Sequence, residues 1–406
     1  MRDFTPAVKA QRERVLSRIR DSYRAHGFDE IETPVLEESS RLSAGLGGDN
    51  EKLAFGILKR GLTAEDIAAA GSTADLIDMG LRYDLTVPLA RFFATNRAEL
   101  PPVFRAIQIA PVWRAERPQK GRFRQFVQCD IDIIGESGIL AEVELITATL
   151  ATLDVLGVTG TTIRINDRRI LIGLLDSLGL TDTESALITL DKLDKIGASG
   201  VLDELRERGA SATALETLSA LLSSHGKPTS APTVVAMTDA LPAGVATEAV
   251  AELAEIATAV GNAGRLVFDP FLVRGMGYYT GAIFEVAHED LGYSLGGGGR
   301  YDGMIGRFLG TDVPAVGFSL GFERLVDLVA ESDSADDESV AVLYDSELSP
   351  AELIAVKRQL LAEGMRVRLV VKTKNTRAIL DQLERDGFRR YAFLNPGEPL
   401  EWKTLA

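Results

Sequence analysis

The N-terminal segment carries the repeat of an amphipathic helix followed by a short strand. Apolar residues recur at helical spacing over residues 7–25, with arginine and glutamine on the opposite face. This pattern predicts a helix, and Gly27 is suited to end it. Residues 29–33 then predict a short strand that Pro34 terminates.

Residues 103–135 predict two strands joined by a basic loop. Apolar and polar residues alternate at both ends of this segment, which is typical of half-buried strands. The connection has five positive residues and one negative residue, namely Arg114, Arg117, Lys120, Arg122 and Arg124 with Glu116. A solvated hairpin tip would carry mixed charge. The local excess of +4 in a chain of net charge −15 therefore favours an anion site.

The rest of the chain divides into helical, strand-rich and mixed segments. Residues 138–156 and about 168–262 are rich in Ala, Leu and Glu at helical spacing, and the second stretch predicts a helical insertion. Strand-like runs return over residues 266–329. Residues 331–338 are acidic and typical of a linker. Residues 339–406 alternate between strands and helices, which predicts a small α/β domain with a largely parallel sheet.

Composition excludes several classes of protein. The chain has 406 residues, 46% of them hydrophobic and 25% charged, which is ordinary for a soluble protein of two or three domains. One cysteine and three histidines rule out a disulfide framework and argue against a His/Cys metal site. We find no membrane-spanning run or signal peptide, so we expect a cytoplasmic protein. The net charge argues against a diffuse nucleic-acid coat but not against a local basic groove.

Four arginines occur where phosphate binding is expected. Arg274 lies in LVRGMGYYTG, and Arg324 lies in GFER, within a run that begins apolar. A charge inside an apolar segment is costly unless it is paired or used for binding. The planar guanidinium group matches phosphate and carboxylate oxygens. Each arginine alone is compatible with a structural salt bridge, whereas together with Arg114 and Arg122 they favour a polyphosphate clamp.

Hydrogen-bond acceptors and tyrosines form a second candidate set. Asp84 in LRYDLTVP, with Gln128 and Asp132 in FVQCDID, occupies a strand-like setting. These groups can receive an ammonium group or the N–H of a polar ring. Three tyrosines either pack in the core or add hydroxyls and aromatic walls to the same pocket. They are Tyr278, Tyr279 and Tyr301.

A glycine cluster lies beside these candidates. Four glycines at positions 296–299 precede Arg300, Tyr301 and Asp302. Glycine permits a backbone to approach a ligand closely. The cluster matches neither the P-loop nor the dinucleotide-binding fingerprint. By itself it predicts a tight turn.

Five segments together resemble the histidyl-tRNA synthetases, a family of class II aminoacyl-tRNA synthetases. They are LRYDLTVPLARF, VWRAERPQKGRFRQFVQCDID, LVRGMGYYTG, GGGGRYDGM and AVGFSLGFERL. The resemblance implies an α+β fold whose catalytic domain has a six-stranded antiparallel sheet flanked by helices. The implied catalytic parts are residues 1–167 and 265–330, separated by a helical insertion at 168–264. A linker at 331–338 and a shortened anticodon-binding-like α/β domain at 339–406 follow.

The resemblance also implies an activity. A histidine–tRNA ligase activates L-histidine with ATP to histidyl-adenylate and transfers it to tRNA(His). The implied cofactors are ATP and Mg²⁺, and the implied assembly is a homodimer in the cytoplasm, with no membrane association. The helix and strand that end at Pro34 resemble the family's dimer-interface motif.

Residue roles follow from the resemblance position by position. The implied catalytic residues are Arg274 and Arg114. The implied ATP-binding residues are Arg114, Glu116, Arg122, Phe126 and Arg324, with Phe126 and Arg324 on opposite faces of the adenine. The implied amino-acid-binding residues are Asp84, Thr86, Gln128, Asp132, Tyr278, Tyr279 and Tyr301.

Two other interpretations remain open from the sequence. One is a non-catalytic, histidine-sensing paralogue, similar to the regulatory subunit of ATP phosphoribosyltransferase. The other is a histidine-activating enzyme with an acceptor other than tRNA. Gly277 stands where the resemblance implies an acidic residue, and this favours the sensor together with the short C-terminal segment. The full set of arginines favours catalysis, because a sensor has no need of a complete ATP clamp.

Overall fold

The computed structural model describes residues 1–44, 54–117, 123–225, 233–261, 264–274, 277–329 and 339–405. Within these residues the chain forms two compact units. The first comprises Val15–Val329 together with Met1, and the second combines Arg2–Arg14 with the described residues after 329. The predicted linker at 331–338, the break near 226–232 and Arg122 lie outside the described residues.

Strands and helices up to residue 329 are numbered in chain order. The strands are β1 Asp29–Glu30, β2 Leu36–Glu38, β3 Phe55–Leu58, β4 Ile77–Leu81, β5 Phe104–Trp113, β6 Gln125–Ile134, β7 Thr161–Asp167, β8 Leu266–Phe268, β9 Ala282–His288, β10 Gly296–Arg300 and β11 Ala315–Gly321. The helices are α1 Pro6–Ala25, α2 Ser39–Ala44, α3 Ala64–Ala69, α4 Thr86–Asn96, α5 Leu140–Leu156, α6 Arg168–Ser177, α7 Thr183–Leu190, α8 Leu193–Glu207, α9 Ala212–His225, α10 Val234–Asp239, α11 Thr247–Val260, α12 Asp302–Leu309 and α13 Phe322–Leu325.

One large sheet organises the first unit. Its order over the described residues is β1-β5-β6-β11-β10-β9-β7-β8. The six strands from β5 to β7 in this order are antiparallel, and the edge strands β1 and β8 pair in parallel. The α+β prediction with a six-stranded antiparallel sheet is therefore confirmed, with an added strand at each edge. A small separate sheet has the order β2-β4-β3.

The predicted hairpin of residues 103–135 is present. Strands β5 and β6 pair from Phe104 opposite Ile134 to Trp113 opposite Gln125. Alternate residues of β6 face opposite sides of the sheet. The apolar set packs in one hydrophobic cluster with α1 and α5, and its members are Cys129, Ile131 and Ile133. The polar set is also buried, and its members are Gln128, Asp130 and Asp132.

The glycine cluster is a strand rather than a turn. Residues Gly296–Arg300 form β10 between β9 and β11. A Cβ at Gly298 would lie 1.9 Å from the carbonyl oxygen of Gly317, and one at Gly297 would lie 2.7 Å from Cζ of Arg274. The predicted turn is wrong because antiparallel neighbours on both sides impose an extended backbone, despite the low strand preference of glycine.

The predicted helices are present as well. Helix α1 confirms the N-terminal prediction, whereas β1 covers only Asp29–Glu30 of the strand predicted at 29–33. Helices α6 to α11 occupy the segment predicted as a helical insertion. No helix in the described part of the chain is both long and apolar enough to cross a bilayer.

The second unit contains the predicted α/β alternation. Its elements are β12 Ser339–Tyr344, α14 Pro350–Ala362, β13 Arg366–Val371, α15 Thr376–Arg385, β14 Arg390–Leu394 and β15 Lys403–Thr404. The strand order is β13-β12-β14-β15, parallel except for the final pair. The largely parallel sheet is therefore confirmed.

A buried ion pair joins α5 to β10. Arg300 donates from Nε and Nη2 to the two carboxylate oxygens of Glu142, each at 2.7 Å. We expect Arg300→Met to lower the free energy of unfolding by about 3 kcal/mol, because it leaves the buried Glu142 carboxylate without this partner. Urea denaturation of the purified protein measures the change.

The matched control is Arg206→Met. Arg206 pairs with Asp203 on the surface of α8, where both side chains are more than half exposed. Exposed pairs contribute about 0–1 kcal/mol, so this variant should unfold close to the parent. Equal losses in the two variants would contradict the importance of the buried pair.

Candidate functional site

The polar residues of β6 lie buried on one face of the large sheet. Asp132 lies opposite Gly317 in the pairing of β6 with β11, and Asp130 lies opposite Ser319. A Cβ at Gly317 would lie 2.0 Å from Oδ1 of Asp132. A glycine at 317 therefore makes room for the carboxyl group that Asp132 presents.

Tyrosines enclose the Asp132 carboxyl group. The hydroxyl of Tyr301 donates to Oδ1 of Asp132 at 2.6 Å. The ring of Tyr278 lies 4.7 Å from that of Tyr279 and 6.0 Å from that of Tyr301, centroid to centroid. Burial raises the pKa of Asp132 to about 7, although the hydrogen bond from Tyr301 opposes this shift.

Asp84 precedes α4 and is buried in the same region. Its Oδ1 accepts the backbone N–H of Val87, in the first turn of α4, at 3.3 Å. Its Oδ2 is buried and has no hydrogen-bond partner among the described residues. Burial raises the pKa of Asp84 to about 6, while Val87 and the charge of Arg114 act against the shift. Thr86, which begins α4, is hydrogen-bonded to Tyr278.

Gln128 presents a second unpaired acceptor. Its Nε2 donates to Oγ of Ser319 at 2.9 Å and lies 3.4 and 3.5 Å from the two carboxylate oxygens of Asp130. Its Oε1 is buried without a donor in the part of the chain described here. Buried polar atoms are nearly always hydrogen-bonded in proteins. A buried acceptor that is unpaired here is available to a ligand that supplies N–H groups.

Arg114 brings positive charge to the acceptors. Its Nε donates to the carbonyl oxygen of Tyr83 at 3.0 Å, which fixes the side chain at the end of β5. Its guanidinium carbon lies 5.0 Å from the ring centroid of Phe126. The charge of Arg114 lowers the pKa values of Asp84 and Asp130, against the effect of their burial. The charge of Arg114 therefore acts on the acidic residues of this site.

Arg274 is anchored to β9. Its Nη1 donates to Oε2 of Glu285 on that strand at 2.8 Å, and Gly297 leaves space for its guanidinium group. The charge of Arg274 also reaches Asp191, which follows α7, because it counters the raised pKa that burial gives this carboxyl group. About a quarter of the Arg274 side chain is exposed. An incoming anion can therefore contact it.

Two further predicted ATP-binding residues, Phe126 and Arg324, lie near the start of β6. The guanidinium carbon of Arg324, on α13, lies 5.0 Å from the ring centroid of Tyr293, and Arg324 donates to the carbonyl oxygen of Ser294. The neighbouring Glu323 accepts the backbone N–H of Val127 at 3.4 Å, which joins α13 to β6. The guanidinium group of Arg114 lies against the ring of Phe126. Its placement against adenine stays a prediction.

Comparison with known proteins identifies the family. The sequence profile of the family described as histidyl-tRNA synthetase matches residues 1–325. The chain belongs to the histidyl-tRNA synthetase family. The resemblance found in the sequence is thus confirmed.

Relatives match this family member over almost their whole length. A histidine–tRNA ligase of Leifsonia xyli subsp. xyli is 58% identical over 98% of this chain and 95% of its own sequence. A probable histidine–tRNA ligase of Tropheryma whipplei strain Twist is 45% identical with the same coverage.

Solved structures of related proteins share the architecture. Histidyl-tRNA synthetase from Nostoc sp. PCC 7120 superposes with a TM-score of 0.77 at 27% identity, over 100% of this chain and 93% of that one. A protein from Bacillus halodurans C, described as an ATP phosphoribosyltransferase regulatory subunit/histidyl-tRNA synthetase, gives 0.73 at 24% identity over 97% of this chain and 95% of that one. The second likeness shows the fold alone.

Two residues of this site were not among the sequence candidates. Asp130 shares the polar face of β6 with Gln128 and Asp132, and two-residue alternation within QCDID could have pointed to it. Glu285 carries the single charge of β9 and holds Arg274. A lone acidic residue in an apolar strand was the available signal.

The buried carboxyl groups should make stability fall with rising pH. The pKa values of Asp84 and Asp132 rise to about 6 and about 7 on folding, so the folded protein binds these protons more tightly than the unfolded chain. The stabilisation of the folded protein by these two protons is therefore fully present below about pH 4 and is lost as the pH rises through 6 and 7. When the pH of the ligand-free protein is raised from 4.5 to 8, the free energy of unfolding should fall by about 3 kcal/mol less in Asp132→Asn than in the parent.

Urea denaturation at the two pH values measures this difference. Asp203→Asn is the control, because Asp203 is exposed on α8 and should leave the pH dependence of the parent unchanged. Parallel pH profiles for the parent and Asp132→Asn would show that Asp132 does not hold a proton in the folded state near neutrality.

Proposed function

We propose that this member of the histidyl-tRNA synthetase family is a histidine–tRNA ligase. It activates L-histidine with ATP to histidyl-adenylate and then transfers the histidyl group to the 3′ end of tRNA(His). The observation that carries the proposal is a pair of buried, unpaired acceptors, Oδ2 of Asp84 and Oε1 of Gln128, in the same site as Arg114. Names of close relatives support the same activity.

The acceptors suit the polar end of histidine. Asp84 and Thr86 receive the ammonium group, and Gln128 with Asp132 receives the remaining N–H groups. Tyr278, Tyr279 and Tyr301 complete the pocket wall. A pocket built from buried acceptors rejects amino acids that lack matching donors, because its polar groups would then stay unpaired.

Activation needs positioning rather than proton removal. The carboxylate of histidine is already ionised near pH 7, so no general base is required. One of its oxygens forms a bond to the α-phosphorus of ATP, the bond to the bridging oxygen breaks, and pyrophosphate leaves with the electron pair. Arg114 and Arg274 hold the two anions together and stabilise charge on the crowded phosphorus.

The remaining ATP contacts follow the family pattern. Phe126 and Arg324 stack on opposite faces of the adenine. Glu116 accepts a hydrogen bond from the adenine amino group, and Arg122 contacts phosphate. Among the described residues, no group of three or more His, Cys, Asp or Glu side chains is arranged to hold a metal ion. We therefore place Mg²⁺ on the phosphates of ATP as part of the substrate, where it shares their charge.

Other parts of the chain are assigned by the same proposal. Residues 1–167 and 265–330 form the catalytic domain, 168–264 the helical insertion, 331–338 a linker, and 339–406 an anticodon-binding-like domain. The protein acts as a homodimer in the cytoplasm. Analytical ultracentrifugation tests the dimer, and a sedimenting species with the monomer mass of 43.8 kDa alone would exclude it.

A histidine-sensing regulatory subunit is the second candidate. The similarity to the Bacillus halodurans C protein supports its fold, but not its function. A histidine sensor needs the acceptor pocket, but it does not need Arg114 and Arg274 to bind ATP. The presence of both arginines therefore favours the ligase.

Histidine-dependent exchange of pyrophosphate into ATP separates these functions. The ligase should show exchange with histidine and then charge tRNA(His). Absence of exchange with every amino acid would exclude the activation step. Exchange without charging of tRNA would point to a different acceptor.

Arg274→Ala should lower the exchange rate by about 10² to 10³ while it leaves the KM for histidine within about threefold, because the guanidinium group acts on the reacting phosphate. The control is Arg206→Ala, which removes an exposed arginine of α8 and should keep the parent rate. A large rise in KM for histidine with an unchanged rate at saturation would contradict the role assigned to Arg274.

A further inference from the structure

Asp130 lies at the centre of the pocket wall without a role in the reaction described above. It is buried on β6, one alternation from both Gln128 and Asp132, and its register partner on β11 is Ser319. Charged and titratable groups of several elements interact with it electrostatically. They are Asp84, Asp132, Arg114, Tyr23 and Tyr279. A carboxyl group in such a setting is destabilising unless its neighbours or its ligand use it.

Asp130, Ser319 and Gln128 form a closed hydrogen-bonded set. The amide Nε2 of Gln128 donates to Ser319 at 2.9 Å and faces both oxygens of Asp130 at 3.4 and 3.5 Å, and Ser319 lies opposite Asp130 in the pairing of β6 with β11. A carboxyl group keeps at least one acceptor oxygen whether or not it carries a proton, and a hydroxyl has one hydrogen to donate. The oxygens of Asp130 and Ser319 therefore have a donor when the nitrogen of the Gln128 amide, and not its oxygen, points at Asp130.

This direction decides what Gln128 offers to a ligand. A glutamine amide presents either two donors or an acceptor, depending on how it is turned. Here the donors are taken by Ser319 and Asp130, and Oε1 is left buried and unpaired among the described residues. A reversed amide would place its oxygen against the oxygens of Asp130 and turn N–H groups towards the ligand.

We propose that Asp130, together with Ser319, is a positioning residue that fixes the Gln128 amide with its oxygen towards the amino acid. The site then presents acceptors on two sides, Oε1 of Gln128 and Oδ2 of Asp84, and selects a ligand that carries N–H groups there. This inference rests on the proposed function and adds the residue that sets the polarity of the histidine pocket. It requires no contact between Asp130 and the substrate.

The test compares Asp130→Asn and Ser319→Ala in the exchange assay. An asparagine at 130 can donate as well as accept, so it lets the Gln128 amide reverse. We expect the KM for histidine to rise about tenfold in Asp130→Asn and severalfold in Ser319→Ala, with the KM for ATP within about twofold of the parent. The dissociation constant of L-histidinol, which keeps the ammonium and imidazole groups, should rise by the same factors.

A double-mutant cycle with Gln128→Met separates positioning from general damage. If Asp130 acts through the amide, Asp130→Asn should raise the KM for histidine no further once Gln128 is methionine. Additive effects in the cycle, or equal rises in the KM values for histidine and ATP, would overturn the proposal. Asp203→Asn, on the exposed face of α8, is the matched control and should behave as the parent.

Failure of the proposed function and failure of the Asp130 role give different results. No histidine-dependent exchange by the parent protein would overturn the proposed function itself. Normal exchange by the parent with unchanged histidine KM and histidinol binding in the single variants would overturn the role of Asp130 alone. If Asp130→Asn fails to fold, as circular dichroism would show, Ser319→Ala remains a decisive variant, because it removes one partner of the same amide.

Discussion

Burial of three carboxyl groups on one side of a β-sheet is the constraint on which this structure depends. Asp84, Asp130 and Asp132 are removed from water and repel one another, and burial raises the pKa of each. Hydrogen bonds from Tyr301 and Ser319 and the charge of Arg114 offset only part of this unfavourable energy. Under the proposed function, the cationic ammonium group of histidine offsets part of this energy when it binds.

The arginine beside this pocket is held by a chain of ion pairs that reaches the helical segment. Arg274 bonds to Glu285, and Nη1 of Arg164 lies 3.1 Å from Glu285 and 3.5 Å from Asp194 on α8. Nε of Arg164 also donates to Asp269 at 2.6 Å. Movement of α8 would therefore change the electrostatic surroundings of Arg274. Helix α8, which lies between β7 and β8 in the sequence, is therefore linked to Arg274 through these ion pairs.

Sequence patterns predicted those parts of the fold that depend on local alternation. The β5–β6 hairpin, helix α1 and the elements after residue 339 followed from apolar periodicity, because each carries its pattern within a few turns or residues. Strand β10 did not, because glycine has little strand preference and its conformation comes from β9 and β11, which are close in space.

The same limit applies to the site. The sequence predicted a strand-like setting for Gln128 and Asp132, but the hydrogen bonds between Gln128, Asp130 and Ser319 depend on register between β6 and β11, which are far apart in the sequence. The contact of Arg324 with Tyr293 likewise comes from a separate loop. Motif resemblance found the residue types, and only the packed sheet showed which atoms remain unpaired.

The glycines of β10 have a consequence for how this protein tolerates genetic change. Every amino-acid replacement of a glycine adds atoms, and at Gly297, Gly298 and Gly299 the first added carbon would already lie within 2.9 Å of a neighbouring atom. No single replacement at these positions is small enough for the space, so compensation has to come from shifts in Arg274, Tyr279 or the adjoining backbone. This strand should therefore be among the slowest parts of the molecule to vary as lineages diverge.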